Sequence, residues 1–140
     1  MRKVIVFSLC LAFVAGCARQ SATNHVQQDT LSRATTVVEW ESGTTCDFGV
    51  YTERVTKDHR FVFRNTGDTP FVIDSVVTLC GCTHADYEKR PVMPGDTGSI
   101  YMSYSGNGFS PGYFHQHAMV YANSKEPVQL ELKGIFDHVE

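Results

Sequence analysis

The residues best placed to do chemistry are Cys80-Gly81-Cys82, with His84 two positions further on. Successive residues of a strand alternate faces, so Cys80, Cys82 and His84 share one face if the segment is extended. The Cα atoms of Cys80 and Cys82 then stand about 6.6 Å apart, near the upper edge of the roughly 4.4–6.8 Å that a disulfide spans. A bond between them needs a bend, which Gly81 can supply. Cys46 is a third thiol, either a small core residue or the partner of one of the other two. The plainer use of Cys80 and Cys82 is a structural disulfide or two buried thiols in a core strand. The sharper use is a redox pair or a soft-metal site.

His115-x-His117 forms a second same-face pair. Together with Cys80, Cys82 and His84 it makes five soft or borderline ligands, suited to copper(I) or zinc(II) if the fold brings them together. Phase argues against it. His115 and His117 alternate with Phe114, Ala118 and Val120, and so face solvent beside Tyr113, Met119 and Tyr121. No spacing matches a zinc finger or a metalloprotease helix, and no cofactor is otherwise implied.

Signatures of catalysis are missing too. The chain has no phosphate loop or His-Glu-x-x-His. Asp74, Asp86, Glu88 and Asp96 are scattered through turns and strands as solvated charges. Tyr101, Tyr113 and Tyr121 occupy non-core phases, where they either pack at sheet edges or form an exposed aromatic band that marks a partner surface.

Five cysteines is an odd count for an exported protein, and the first residues bear on it. Arg2 and Lys3 precede Val4–Val14, about a dozen mostly apolar residues, where a membrane-spanning helix needs roughly 20. This is the pattern of an export signal. Val14-Ala15-Gly16-Cys17 then resembles the bacterial lipobox, which implies a signal peptide over 1–16, cleavage before Cys17 and acylation of that cysteine. Two or more acyl chains anchor a protein stably to a membrane without spanning it. Cys10 leaves with the signal, so Cys46, Cys80 and Cys82 are the thiols left. Cleavage also removes two of the 12 basic residues and none of the 15 acidic ones, taking the net charge from −3 to −5. That balance gives no footprint for nucleic acid. The absence of an acidic run after Cys17 resembles Gram-negative lipoproteins sorted to the outer membrane, facing the periplasm.

The elements that must position these residues begin after a spacer. Residues 17–36 are rich in Ser, Thr, Asn, Gln and Ala, too polar to offset chain entropy by burial, and are expected to be a flexible tether. From Val37 the texture becomes period-two alternation in short runs. His59, Phe61 and Phe63 alternate with Arg60, Val62 and Arg64, and Asn65-Thr66-Gly67-Asp68 forms a turn in which Gly67 supplies positive φ. Phe71–Val77 is a β-rich run that Leu79–Thr83 continues after a break. Ile100, Met102 and Tyr104 face one way on the next strand, Tyr113–Tyr121 is a long strand, and Val128, Leu130 and Leu132 alternate at the close. About seven short strands over residues 37–140 predict an all-β, immunoglobulin-like sandwich.

Several segments in order carry a family resemblance. They are Asp47-Phe48-Gly49, Phe61 to Pro70, Cys80-Gly81-Cys82-Thr83, Pro94-Gly95, Gly112-Tyr113-Phe114, Asn123 and Leu132-Lys133-Gly134. Over about Thr45–Phe136 the chain resembles the bacterial family known as domain of unknown function 1573. The resemblance implies an immunoglobulin-like sandwich related to Hydin and PapD-like domains, often on lipoproteins, with no established activity. Cys46 departs from the pattern, which commonly has an aromatic before Asp-Phe-Gly. The expected function is a non-enzymatic module of the cell envelope, lipid-anchored and binding a protein partner. Edge strands of such sandwiches can accept a partner strand. The competing expectation is a thiol redox or copper/zinc protein centred on Cys80 and Cys82.

Overall fold

The computed structural model of the chain describes residues 34–106 and 111–137. The expected signal peptide, Cys17 and most of the expected tether lie outside the described residues. The fold is all-β, with eight strands: β1 (Val38–Trp40), β2 (Thr45–Tyr51), β3 (Lys57–Asn65), β4 (Ile73–Thr78), β5 (Thr83–Tyr87), β6 (Thr97–Tyr104), β7 (Gly112–Ala122) and β8 (Val128–Phe136). They form two four-stranded sheets, ordered β1-β3-β6-β5 and β2-β8-β7-β4. The sandwich is as expected, with one strand more than the alternation suggests. β1 has three residues, too few to show a period.

Period-two patterning builds the core. Phe61 and Phe63 of β3 and Ile100 and Met102 of β6 point inward from one sheet, facing Ala118, Val120, Leu130 and Leu132 of the other. All of these are at most 1% exposed. β2 pairs in parallel with β8, and its register shifts between Asp47 and Val50. Asp47-Phe48-Gly49 builds that bulge: Gly49 adopts φ 64°, and its N–H donates to Asp47 Oδ1 at 2.9 Å. Phe48 then reaches Phe114, ring centroids 6.3 Å apart.

The domain starts earlier than the composition suggests. Thr36 is 5% exposed, its hydroxyl donates to Asn65 Oδ1 at 3.0 Å, and Ala34 O accepts from Asn123 Nδ2 at 2.9 Å. Ala34–Thr36, placed by composition in the tether, are thus fastened to the sandwich at the Asn65 end of β3. Gly67 also differs from expectation. Positive φ is found at Gly43, Gly49, Gly95 and Gly112, not at Gly67. Its role is close approach, because a Cβ there would lie 2.0 Å from Thr36 Oγ1 and 2.8 Å from Val37 N.

Candidate functional site: a disulfide beside an aromatic cleft

β4 ends at Thr78 and β5 begins at Thr83, so Cys80-Gly81-Cys82 sits in the intervening turn and does not continue a strand. Thr83 N–H donates to Cys80 O at 3.1 Å, closing a β-turn over Cys80–Thr83. The turn draws the two cysteine Cα atoms to 5.2 Å, and Cys80 and Cys82 form a disulfide. Ser105 N–H donates to Cys82 O at 2.9 Å, fastening the turn to the end of β6. A loop this short restricts the unfolded chain little. The chain-entropy account assigns it about 1.6 kcal/mol, roughly half the value for a fifteen-residue loop.

Cys46 stays free. It lies on β2 opposite Leu132 and packs against the core. Burial, then the neighbouring Asp47 charge, raises its thiol pKa, so it is a poor nucleophile. The alternative bridges from Cys46 to Cys80 or Cys82 do not form.

The disulfide borders a cleft of about 450 Å³ between the sheets, lined also by Tyr51, Tyr104, Phe114 and Phe136. Tyr104 stacks on Phe114 with ring centroids 4.2 Å apart, and Tyr51 meets Phe114 edge-on at 6.1 Å. Lys57 Nζ lies 4.3 Å over the outer Tyr51 ring. Among the described residues the buried Tyr51 hydroxyl has no hydrogen-bond partner. Burial raises the pKa of both phenols, that of Tyr51 further through Tyr104, so both stay protonated at neutral pH and Tyr51 presents a donor. The recess therefore suits a small apolar or aromatic group carrying a hydrogen-bond acceptor.

The five metal-ligand candidates do not converge. The Cys80 and Cys82 sulfurs are bonded to each other, which removes both thiolates. His84 is on β5 in one sheet, whereas His115 and His117 are on β7 in the other. Among the described residues no group of three or more His, Cys, Asp or Glu side chains is placed to hold a metal ion. His115 and His117 do face outward as their phase requires. His115 Nε2 donates to Glu131 Oε2 at 3.0 Å, and Gln129 Nε2 donates to Glu131 Oε1 at 2.7 Å.

These two hydrogen bonds, His115 first, hold the Glu131 carboxyl below its ordinary pKa. A depressed carboxylate stabilises the fold above its unfolded pKa, and that stability is lost as pH falls through the folded value. Glu131→Gln is therefore expected to cost up to about 1 kcal/mol at neutral pH, limited by solvent screening. In urea unfolding the difference should begin to shrink as pH falls below about 4.3 and vanish once the pH is below the lowered folded value. A difference that persists in acid would assign the effect to packing.

The three tyrosines do not form a band. Tyr101 is on β6, in the sheet opposite that of Tyr113 and Tyr121. Tyr113 and Tyr121 share a face of β7 but lie about 26 Å apart, at ~3.3 Å per residue. The aromatics that do assemble are Tyr51, Tyr104, Phe114 and Phe136, of which alternation places only Tyr104 and Phe114 on inward faces.

A family model described as "Protein of unknown function (DUF1573)" matches residues 38–136. The chain belongs to this family. The DUF1573 domain thus accounts for the whole sandwich and includes the disulfide turn. Among solved structures, the domain is similar to a protein of unknown function from Porphyromonas gingivalis W83, with a TM-score of 0.63 and 18% identity over 74% of this chain. It spans about half of that protein, 48% of its length. It is also similar to the ASH/PapD-like domain 7 of human CEP192, with a TM-score of 0.60 and 12% identity over 76% of this chain and 89% of that one. At these identities the likeness shows the fold, an immunoglobulin-like, PapD-like sandwich. No curated protein matches the chain.

Proposed function

We propose that this DUF1573 chain is a lipid-anchored protein of the cell envelope, held through Cys17 in the outer membrane facing the periplasm. It works without catalysis, by binding another protein. The observation that carries this reading is the aromatic cleft, whose Tyr51 hydroxyl is unpartnered among the described residues. A buried hydroxyl without an acceptor costs about 1–3 kcal/mol. A partner segment that seats an apolar side chain there and offers a backbone carbonyl offsets that cost.

The topology supports the same reading. The cleft lies where β3 begins, since Lys57 pairs with Tyr104. Ala34–Thr36 are fastened at the other end of β3, about 26 Å away at ~3.3 Å per residue. The cleft and the point where the chain enters the domain therefore lie at opposite ends of β3.

Gly106→Leu tests the cleft. A Cβ at Gly106 meets Tyr51 Oη at 3.6 Å and Tyr104 at 3.8 Å, ordinary contacts, so leucine fills the recess without displacing backbone. Stability should change by less than about 1 kcal/mol. Photo-crosslinking from position 113 in intact cells should lose its partner band about tenfold. An undiminished band would exclude the cleft as the binding site. In the same cells Cys17→Ser should release the chain from the membrane fraction, and its retention there would exclude the lipid anchor.

A further inference from the structure

We propose that the Cys80–Cys82 disulfide is a thiol-exchange site, open to a cysteine thiol of a peptide or protein reaching the cleft. Cys80 and Cys82 are both half-buried and border the cleft. Gly81 between them is exposed, and among the described residues a Cβ there would meet nothing within 4 Å, so the turn is open at Gly81. The short loop and the hydrogen bonds from Thr83 N–H to Cys80 O and Ser105 N–H to Cys82 O hold the turn without the bond. Cys46 has its own place on β2 and takes no part. The second thiol must therefore come from the substrate.

The two sulfurs are not equivalent. The Cys82 backbone N–H donates to Cys80 Sγ at 3.2 Å. A thiolate on Cys80 is stabilised by that donor, which makes Cys80 the better leaving group and Cys82 the sulfur attacked. An incoming thiolate forms a bond to Cys82 Sγ, the Cys82–Cys80 bond breaks, and its electron pair goes to Cys80 Sγ, which takes a proton from water. A second substrate thiolate then attacks the substrate sulfur of the mixed disulfide and expels Cys82 as thiolate, which is protonated in turn. The substrate dithiol is oxidised by two electrons and the Cys80/Cys82 pair is reduced by two. The reverse exchange with a substrate disulfide restores the starting state. The protein is a stoichiometric reactant, so the chemistry goes beyond the binding role and does not depend on it.

The test uses the full chain in its membrane, equilibrated with reduced and oxidised glutathione as a defined peptide thiol and its disulfide, then acid-quenched and labelled with a maleimide of known mass. Two additional thiols should appear reversibly at glutathione ratios where structural disulfides stay closed. Near-ultraviolet circular dichroism of the detergent-extracted chain should stay unchanged. Under oxidised glutathione, Cys80→Ala should accumulate glutathione at Cys82 and resist its release, whereas Cys82→Ala should hold about tenfold less at Cys80. A disulfide that opens only after the domain unfolds would overturn the proposal. Equal adducts on the two variants would overturn the assignment of Cys82 as the attacked sulfur.

Discussion

Asn65→Ala is expected to destabilise the domain by about 3–4 kcal/mol, because the side chain closes four hydrogen bonds with no exposure to water. Its Nδ2 donates to Thr69 O at 2.8 Å and to Val92 O at 2.9 Å. Its Oδ1 accepts from the Thr36 hydroxyl at 3.0 Å and from Gly67 N–H at 3.1 Å. Alanine leaves all four partner groups without Asn65, and a buried unsatisfied group costs about 1–3 kcal/mol. The full sum is not reached because Gly67 N–H keeps its bond to Val37 O and half-buried Thr69 can turn to water. In urea the unfolding midpoint should fall by roughly 1–3 M with an unchanged slope. A loss below about 1 kcal/mol would mean that water fills the site and satisfies the carbonyls.

Asn123 does the same work from the other sheet. Its Oδ1 accepts from Val72 N–H at 2.8 Å, and its Nδ2 donates to Pro70 O and Ala34 O, both at 2.9 Å. Thr36 links the two asparagines, giving its hydroxyl to Asn65 and its N–H to Asn123 O. The corner therefore couples the first described residues to both sheets. In the proposed arrangement, any pull on the lipid anchor reaches the sandwich through it.

Gly67→Ala is expected to cost about 2–3 kcal/mol, at the upper end of what overpacking usually does. The added Cβ lands 2.0 Å from Thr36 Oγ1 and 2.8 Å from the Val37 backbone nitrogen. Thr36 can turn away only by breaking its bond to Asn65, and Val37 is held because its carbonyl accepts from both Thr66 N–H and Gly67 N–H at 3.0 Å. Thr36→Ala should therefore rescue only part of the loss, and a double-mutant cycle should give a coupling of about 1 kcal/mol. Full additivity would show that the Val37 backbone alone sets the cost. Gly95 is the contrast. It sits at φ 85° with open space around its missing Cβ, so alanine there is opposed by backbone conformation and not by a clash.

The strands that alternation marks best, β3, β6, β7 and β8, are those with one face buried and the other wet, where a period of two must be written into the residues. Cys46, half-buried on the edge strand β2, and Thr83, at a strand start, carry too little alternation to reveal where they sit. The Asn-Thr-Gly-Asp turn was legible as a turn, yet the reason for its glycine was not, because Thr36 approaches from 31 positions earlier. Similarly, the bend at Gly81 was legible as what a Cys80–Cys82 bond requires. That the bond forms there, and not with Cys46, depends on β2 pairing with β8 and carrying Cys46 into its own packing site.

The sequence alone thus determined the all-β class, the family and the short list of thiols, since these depend on local period and on motifs of a few residues. Tertiary structure decided that Cys80 and Cys82 pair, that His84 is separated from His115 and His117 by the two-sheet division, and that Tyr51, Tyr104, Phe114 and Phe136 meet at one end of the sandwich. Each of these outcomes joins residues far apart in the chain. Which inward-facing residues of two different sheets become neighbours is set by register and sheet order, and a strand's own alternation carries neither.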